Sequence, residues 1–380
     1  MRRLSFIIVW LLVVSLETYS QAESAMEVIS VENLDRLVEI WTGGILGAVA
    51  TFSPDGSQLA VADNNGQLIF ISMAILEPVR TIRDIGLNVD HLTYSSDGAE
   101  ILLWNYTGSY MLVDIQSGSV LAEKANAGDE GRITSMTLTT EKWVEYDRSD
   151  NVAVYDTLTQ ELLLEVEDAK HWSMSYDGNL LLTRNSDLVV QIWHIQSGDV
   201  TFQILPPGEN VATDGLYGAG FTPDGLVWTN YPQYILFEDS VTWHSPIQFW
   251  DMITGETVFE VEGPHYYRSV IFDPTRSYML VWGITTTSRS TQCWIWELDS
   301  LEEEDCYAGG NQWAIFSPDG RMLVVNNGTA PNVTFREISG QTQPIMTLET
   351  MPTRHTEFSS DGRYFLTEDI DLHLWAVPSE

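Results

Sequence analysis

Positive charge is scarce in this 380-residue chain: 18 Lys and Arg stand against 54 Asp and Glu, a formal net charge of −36. Only three of the cations are lysines, Lys124, Lys142 and Lys170. Binding to nucleic acid or to an anionic lipid surface rests on clustered Lys and Arg, so neither is expected of this chain. An acid excess of this size suits solubility in an extracellular or salty medium. Cysteine is nearly absent, with two residues. Long apolar runs are absent too, apart from Leu4 to Leu16, which is shorter than the roughly 20 residues that cross a bilayer. No Gly-x-Ser-x-Gly, His-Glu-x-x-His or glycine-rich phosphate loop occurs, which removes the commonest signatures of hydrolases, zinc proteases and nucleotide enzymes.

The first residues, MRRLSFIIVWLLVVSLETYSQAES, combine Arg2 and Arg3, the short apolar run and a polar stretch with small residues at Ser20 and Ala22. That is the pattern of a secretory signal. Cleavage after Ala22 is expected, with a retained anchor as the alternative, leaving 23–380 as a single domain with no membrane span. No Cys follows the run, so a lipid anchor has no attachment point, and a secreted or periplasmic location is expected. An apolar content of 44% with 11% aromatic residues leaves ample material for a folded core.

What is abundant is repetition. FSPDG at Phe52 to Gly56 returns at Phe316 to Gly320 and, as FSSDG, at Phe358 to Gly362. Further copies end at Gly98, Gly178, Gly225 and, as DPTR, at Arg276, and a degraded copy, MTLTTEKW, lies at Met136 to Trp143. The mean period near 44 is that of four-stranded propeller blades. Within the first copy, an alternating run ends in Phe52, a turn is set by Pro54, Asp55 and Gly56, and a second run returns to the tight turn Asn64-Asn65-Gly66. The pattern predicts an all-β, eight-bladed β-propeller of four-stranded antiparallel blades, or seven blades if the degraded copy is not one.

The third strands, VQIWHIQSG at Val190 to Gly198, IQFWDMITG at Ile247 to Gly255 and LVDIQSG at Leu112 to Gly118, carry a resemblance. The chain resembles the WD-repeat family of β-propellers, and Trp250-Asp251 is a literal match. In that family a buried Asp lies six residues before the Trp, with a Ser or Thr four before the Asp. Asp187, Trp193 and Thr183 reproduce the spacing, and Asp369 with Trp375 keeps part of it. The family's Gly-His before the first strand is nearly absent, the nearest form being Gly263-Pro264-His265. The eighth copy stops after DLHLWAVP, and LDRLVEIWTGG at Leu34 to Gly44 can supply its missing outer strand, closing the ring and removing its open edges.

Trp193, Trp250, Trp296 and Trp375 fall at equivalent third-strand positions and read as packing between blades. Asp63, Asp369 and Asp371 lie at strand ends and read as turn caps. The run from Asp63 has Ala74 where a calcium loop needs its bidentate Glu, so no metal and no cofactor is expected. Cys293 and Cys306 flank a predicted hairpin symmetrically and are expected to form a disulfide. Asn105, Asn327 and Asn332 begin glycosylation sequons.

The period stretches at Leu205 to Gly218, Tyr231 to Ser245 and Gly283 to Gln292, three loops that a propeller places on one face. Long loops on a rigid scaffold are where binding concentrates. A site is therefore expected from Tyr231, Tyr234, Trp243, His244, His265 and Tyr266, with Glu238 and Asp239 as polar contacts. The leading expectation is a secreted, monomeric, non-enzymatic scaffold for a protein or peptide, as the resemblance implies. Glycan or cell-wall binding through the loops of blades five and six, and an enzyme with a site in the central channel, are the alternatives.

Overall fold

The computed structural model describes residues 26–44, 47–125, 133–139, 141–208, 218–231, 233–237, 240–244, 246–261, 265–285, 291–306, 313–326, 332–338, 344–350 and 353–379. Eight antiparallel sheets follow one another: seven are four-stranded meanders, and the eighth joins three consecutive strands to Met26–Glu27 and Val38–Thr42 from the other end of the domain. Blade 1 is Val49–Phe52, Gln58–Ala62, Leu68–Ser72 and Glu77–Ile82. Blades 2 to 7 span 91–124, 133–166, 171–204, 219–261, 265–306 and 313–349, and blade 8 spans 355–378. The degraded copy is a full blade, with Ile133–Leu138 and Lys142–Asp147 joined by a shortened turn in which the Thr139 hydroxyl accepts from Lys142 N–H at 3.0 Å. The count is therefore eight.

The repeated pentapeptide is a hydrogen-bonded turn between the first and second strands. In blade 1, Ser53 Oγ donates to Asp55 Oδ1 at 2.6 Å and accepts from Gln58 N–H at 3.0 Å, while Asp55 Oδ1 accepts from Ser57 N–H at 3.0 Å. Ser95, Ser175, Ser317 and Ser359 repeat the arrangement. In blade 6 the fully buried Asp273 takes the serine's place and accepts from Tyr278 N–H at 2.6 Å. Neighbouring turns overlap like shingles. A Cβ on Gly320, whose φ is +70°, would stand 2.5 Å from Asp273 Oδ2 of the preceding blade, so both the backbone conformation and the crowding demand glycine there.

Eight apolar clusters occupy the eight seams between adjacent blades among the described residues. The cluster that joins Phe52, Leu59 and Val61 of blade 1 to Leu366, Leu372 and Leu374 of blade 8 closes the ring. Burial is thus sheet against sheet all the way round, with no first or last face left open.

Both terminal regions meet in blade 8. Val38–Thr42 pairs with its last strand, Leu372–Pro378, from Val38 opposite Ala376 to Thr42 opposite His373. That pair carries a bulge between Glu39 and Trp41, and the third and fourth strands of blades 1 to 5 are also bulged. Bulges increase twist, so the N-terminal segment copies the geometry of a true outer strand. Met26–Glu27 extends the same edge opposite Pro378 and Val377. Between them a 3₁₀ turn, Leu34–Arg36, buries Ile29, Leu34 and Leu37 against Phe335 and Phe365. Arg36 ties this turn to Glu27 at 2.5 Å.

Candidate functional site

The meander places the corners between second and third strands, and the connections between blades, on one face of the ring. On that face the corner of most blades begins with an Asx residue that organises the turn. Asp63 Oδ1 accepts from Asn65 and Gln67 N–H at 2.9 and 2.8 Å, Asn105 Oδ1 from Thr107 and Ser109, and Asp147 Oδ1 from Ser149 and Asn151. Asp369 Oδ1 accepts from Asp371 N–H at 2.8 Å, and Asp371 in turn accepts from Leu372 N–H. The capping reading of Asp63, Asp369 and Asp371 describes them correctly. Asn105 is 6% exposed and committed to its turn and to Asn88 O at 2.9 Å, so its sequon side chain is already in use.

Blade 5 departs from this pattern where the sequence stretches. Its corner residue Asn230, 1% exposed, donates from Nδ2 to Pro246 O at 3.2 Å and so closes a neck. Beyond the neck stands a separate two-stranded sheet, Gln233–Phe237 against Ser240–His244, with Tyr234 opposite Trp243. The swollen turn is thus a raised hairpin. Tyr231 sits below it, 2% exposed, with its hydroxyl donating to Leu188 O of blade 4 at 2.9 Å. It anchors the hairpin's base in the blade 4–5 seam. Glu238 and Asp239, and the side chains of Tyr234, Trp243, His244, His265 and Tyr266, lie outside the described residues. By backbone register His265 and Tyr266 start the first strand of blade 6, opposite Thr285 and Ile284.

The third-strand tryptophans are seam residues, and three make one recurrent bond. The indole N–H of Trp193 donates to Thr183 Oγ1 at 2.8 Å, that of Trp250 to Thr229 Oγ1 at 2.8 Å and that of Trp375 to Thr367 Oγ1 at 3.1 Å. Trp296 is the exception: Val281 occupies the threonine position, and its Nε1 is buried with no partner among the described residues. Asp187 is exposed, so the expected buried aspartate is corrected. The corner is built instead by Asn185, whose Oδ1 accepts from Val189 N–H at 2.9 Å, because a residue two places earlier reaches the turn amides.

A cavity of about 880 Å³ opens into the channel along the innermost strands of blades 8, 1 and 2. On the blade 8 side, Glu357 is held by Thr51 Oγ1 of blade 1 at 3.1 Å and by His355 Nε2 at 3.3 Å. Burial works against a charge on His355, but the Glu357 hydrogen bond and the nearby carboxylates outweigh it and raise its pKa above the ordinary histidine value. Burial raises the pKa of Glu368, opposed by the charges of His355 and Arg354. On the blade 2 side the His91 ring stacks on Trp104 with centroids 4.2 Å apart, and Tyr106 stands edge-on to it at 4.8 Å. Burial lowers the pKa of His91, opposed by the charge of Asp90.

This convergence lay outside the expected loops. The sequence carries one signal for it: three of the seven histidines, His91, His171 and His355, fall four residues before the turn serine of their blades, on the innermost strand. His171 belongs to the opposite wall, where its Nε2 bonds Ala219 O at 2.7 Å. Among the described residues no helix is long and apolar enough to cross a membrane. No protein-family model and no curated protein sequence matches the chain.

Proposed function

We propose that this chain is an exported, WD-repeat-like propeller that binds a partner protein or peptide on the face bearing the blade 5 hairpin. The observation that carries the reading is the hairpin itself: two five-residue strands that pair with each other as a separate sheet, on a corner that blades 1 to 4 and 8 close with a short turn. Ring closure has no use for it, and segments held on a rigid scaffold are where binding residues concentrate. The WD-repeat kinship draws support from the repeated Trp to Thr bond and from Trp250-Asp251. Replacing residues 232–245 with Asn-Gly tests the proposal. Cross-linking in the native medium should lose a partner that the intact chain captures, while the melting temperature stays close to that of the intact chain. Capture of the same partner by the shortened chain would sink the idea.

Export also predicts an oxidised cysteine pair. Cys293 lies directly opposite Cys306 on adjacent strands, a separation a disulfide can span. Closing this short loop would stabilise by about 3 kcal/mol in the chain-entropy model. Intact mass with and without reductant, after alkylation of the unfolded chain, reads it directly. Two free thiols in chain isolated from its natural compartment would refute both the bond and the oxidising location.

A further inference from the structure

We propose that the channel-wall cavity of blades 8, 1 and 2 is a binding site for a neutral saccharide. The reading is independent of the hairpin and its partner. The cavity has the volume of a small-molecule site, for which roughly 300–1,000 Å³ is usual.

Charge selects against the other ligand classes. The cations Arg354 and His355 share this wall with Asp90, Glu357 and Glu368; His355 is paired with Glu357, and Asp90 accepts from Tyr106 N–H. An anion would meet these carboxylates and the −36 field of the whole chain. A cation would meet the guanidinium and a protonatable imidazole. Neither finds a wall of one opposite sign. A hydroxyl, by contrast, donates and accepts at once, and the wall offers both kinds of partner within one cavity: Arg354 as donor, Glu357 as acceptor, Asn88 and Thr93 as either. His91 lines the same cavity, and its buried Nε2 has no partner among the described residues.

Tyr106 supplies the remaining element. It lines the cavity with half of its surface exposed, braced edge-on by His91 and Trp104 and by its own N–H to Asp90 Oδ2 at 2.9 Å. An aromatic ring fixed by its neighbours and open to solvent is a platform for the apolar face of a pyranose, amphipathic like the ligand it would hold.

The test is an array of neutral oligosaccharides with anionic and cationic oligosaccharides alongside, followed by calorimetry on the best probe. A neutral saccharide should bind, and Tyr106→Ala should weaken it about tenfold or more, with melting unchanged. Tyr106→Trp should retain binding, and Ile253→Ser, on the opposite face, should change nothing. Glu357→Gln should weaken the same probe even if the Tyr106 variant folds poorly. Tighter binding of a charged oligosaccharide, no binding of any neutral one, or indifference to both substitutions overturns the proposal.

Discussion

The indole of Trp296 shows how far a single position can depart from the repeat. Its counterparts each donate to a threonine two pairs along the second strand, whereas here the place is taken by Val281, fully buried. Val281→Thr restores the acceptor at nearly the same volume. A stability gain of about 1 kcal/mol is expected, the usual net value of one satisfied bond. Chemical denaturation checks it. A loss of about 1–3 kcal/mol, the cost of a buried unpaired hydroxyl, would mean that the indole and the new hydroxyl do not meet. The tryptophan positions were legible from spacing because one residue per period suffices to see them. The exposure of Asp187 was not, since an Asx two residues earlier serves the same corner equally well and only the backbone path decides between them.

At the scale of elements, the strand that seals blade 8 is pinned by His373, with Nδ1 2.8 Å from Glu39 and Nε2 3.4 Å from Asp369. Burial disfavours the charged ring, but the Glu39 hydrogen bond and the Asp369 charge prevail and raise its pKa. The hydrogen bonds of Thr42 and His373 lower that of Glu39. A raised folded pKa gives stability that is complete below the unfolded histidine value, about 6.5, and is lost as pH climbs through the folded one. A lowered carboxylate pKa gives stability present above the unfolded value, about 4.3, and lost as pH falls through the folded one. The seam is therefore strongest in mildly acidic solution. Thermal melts should show a decline from pH 6 toward 8 that is smaller in His373→Gln; identical pH profiles for the two chains would rule this out. The seam strand was visible in the sequence because it alternates like every other outer strand. The channel wall was not, because Thr51, His91 and Glu357 each look like an ordinary polar position of a half-exposed strand until the ring brings blades 8, 1 and 2 together.

Across the whole molecule, stability rests on every seam being occupied. Removing residues 26–44 would bare the edge of Leu372–Pro378 and take Ile29, Leu34 and Leu37 out of the blade 7–8 cluster. At about 1.5–3 kcal/mol for each buried side chain, the deleted chain should melt at least about 10 °C lower or lose its cooperative transition. A peptide of residues 26–44 added in trans should restore part of the loss. A truncated chain that melts like the intact one would show the ring to be held elsewhere.

The pairing of the two ends also orders events in time. Glu39 is made early and its partner His373 arrives 334 positions later, so seven blades can stack on the growing chain while the eighth waits for its final letters. Until then the newest blade offers a bare apolar face and the first strand has no one to pair with. A chain that stops before Leu372–Pro378, through a premature stop codon or a proteolytic cut, keeps those surfaces open. The seal in blade 8 thus acts as a check that its last strand has been made.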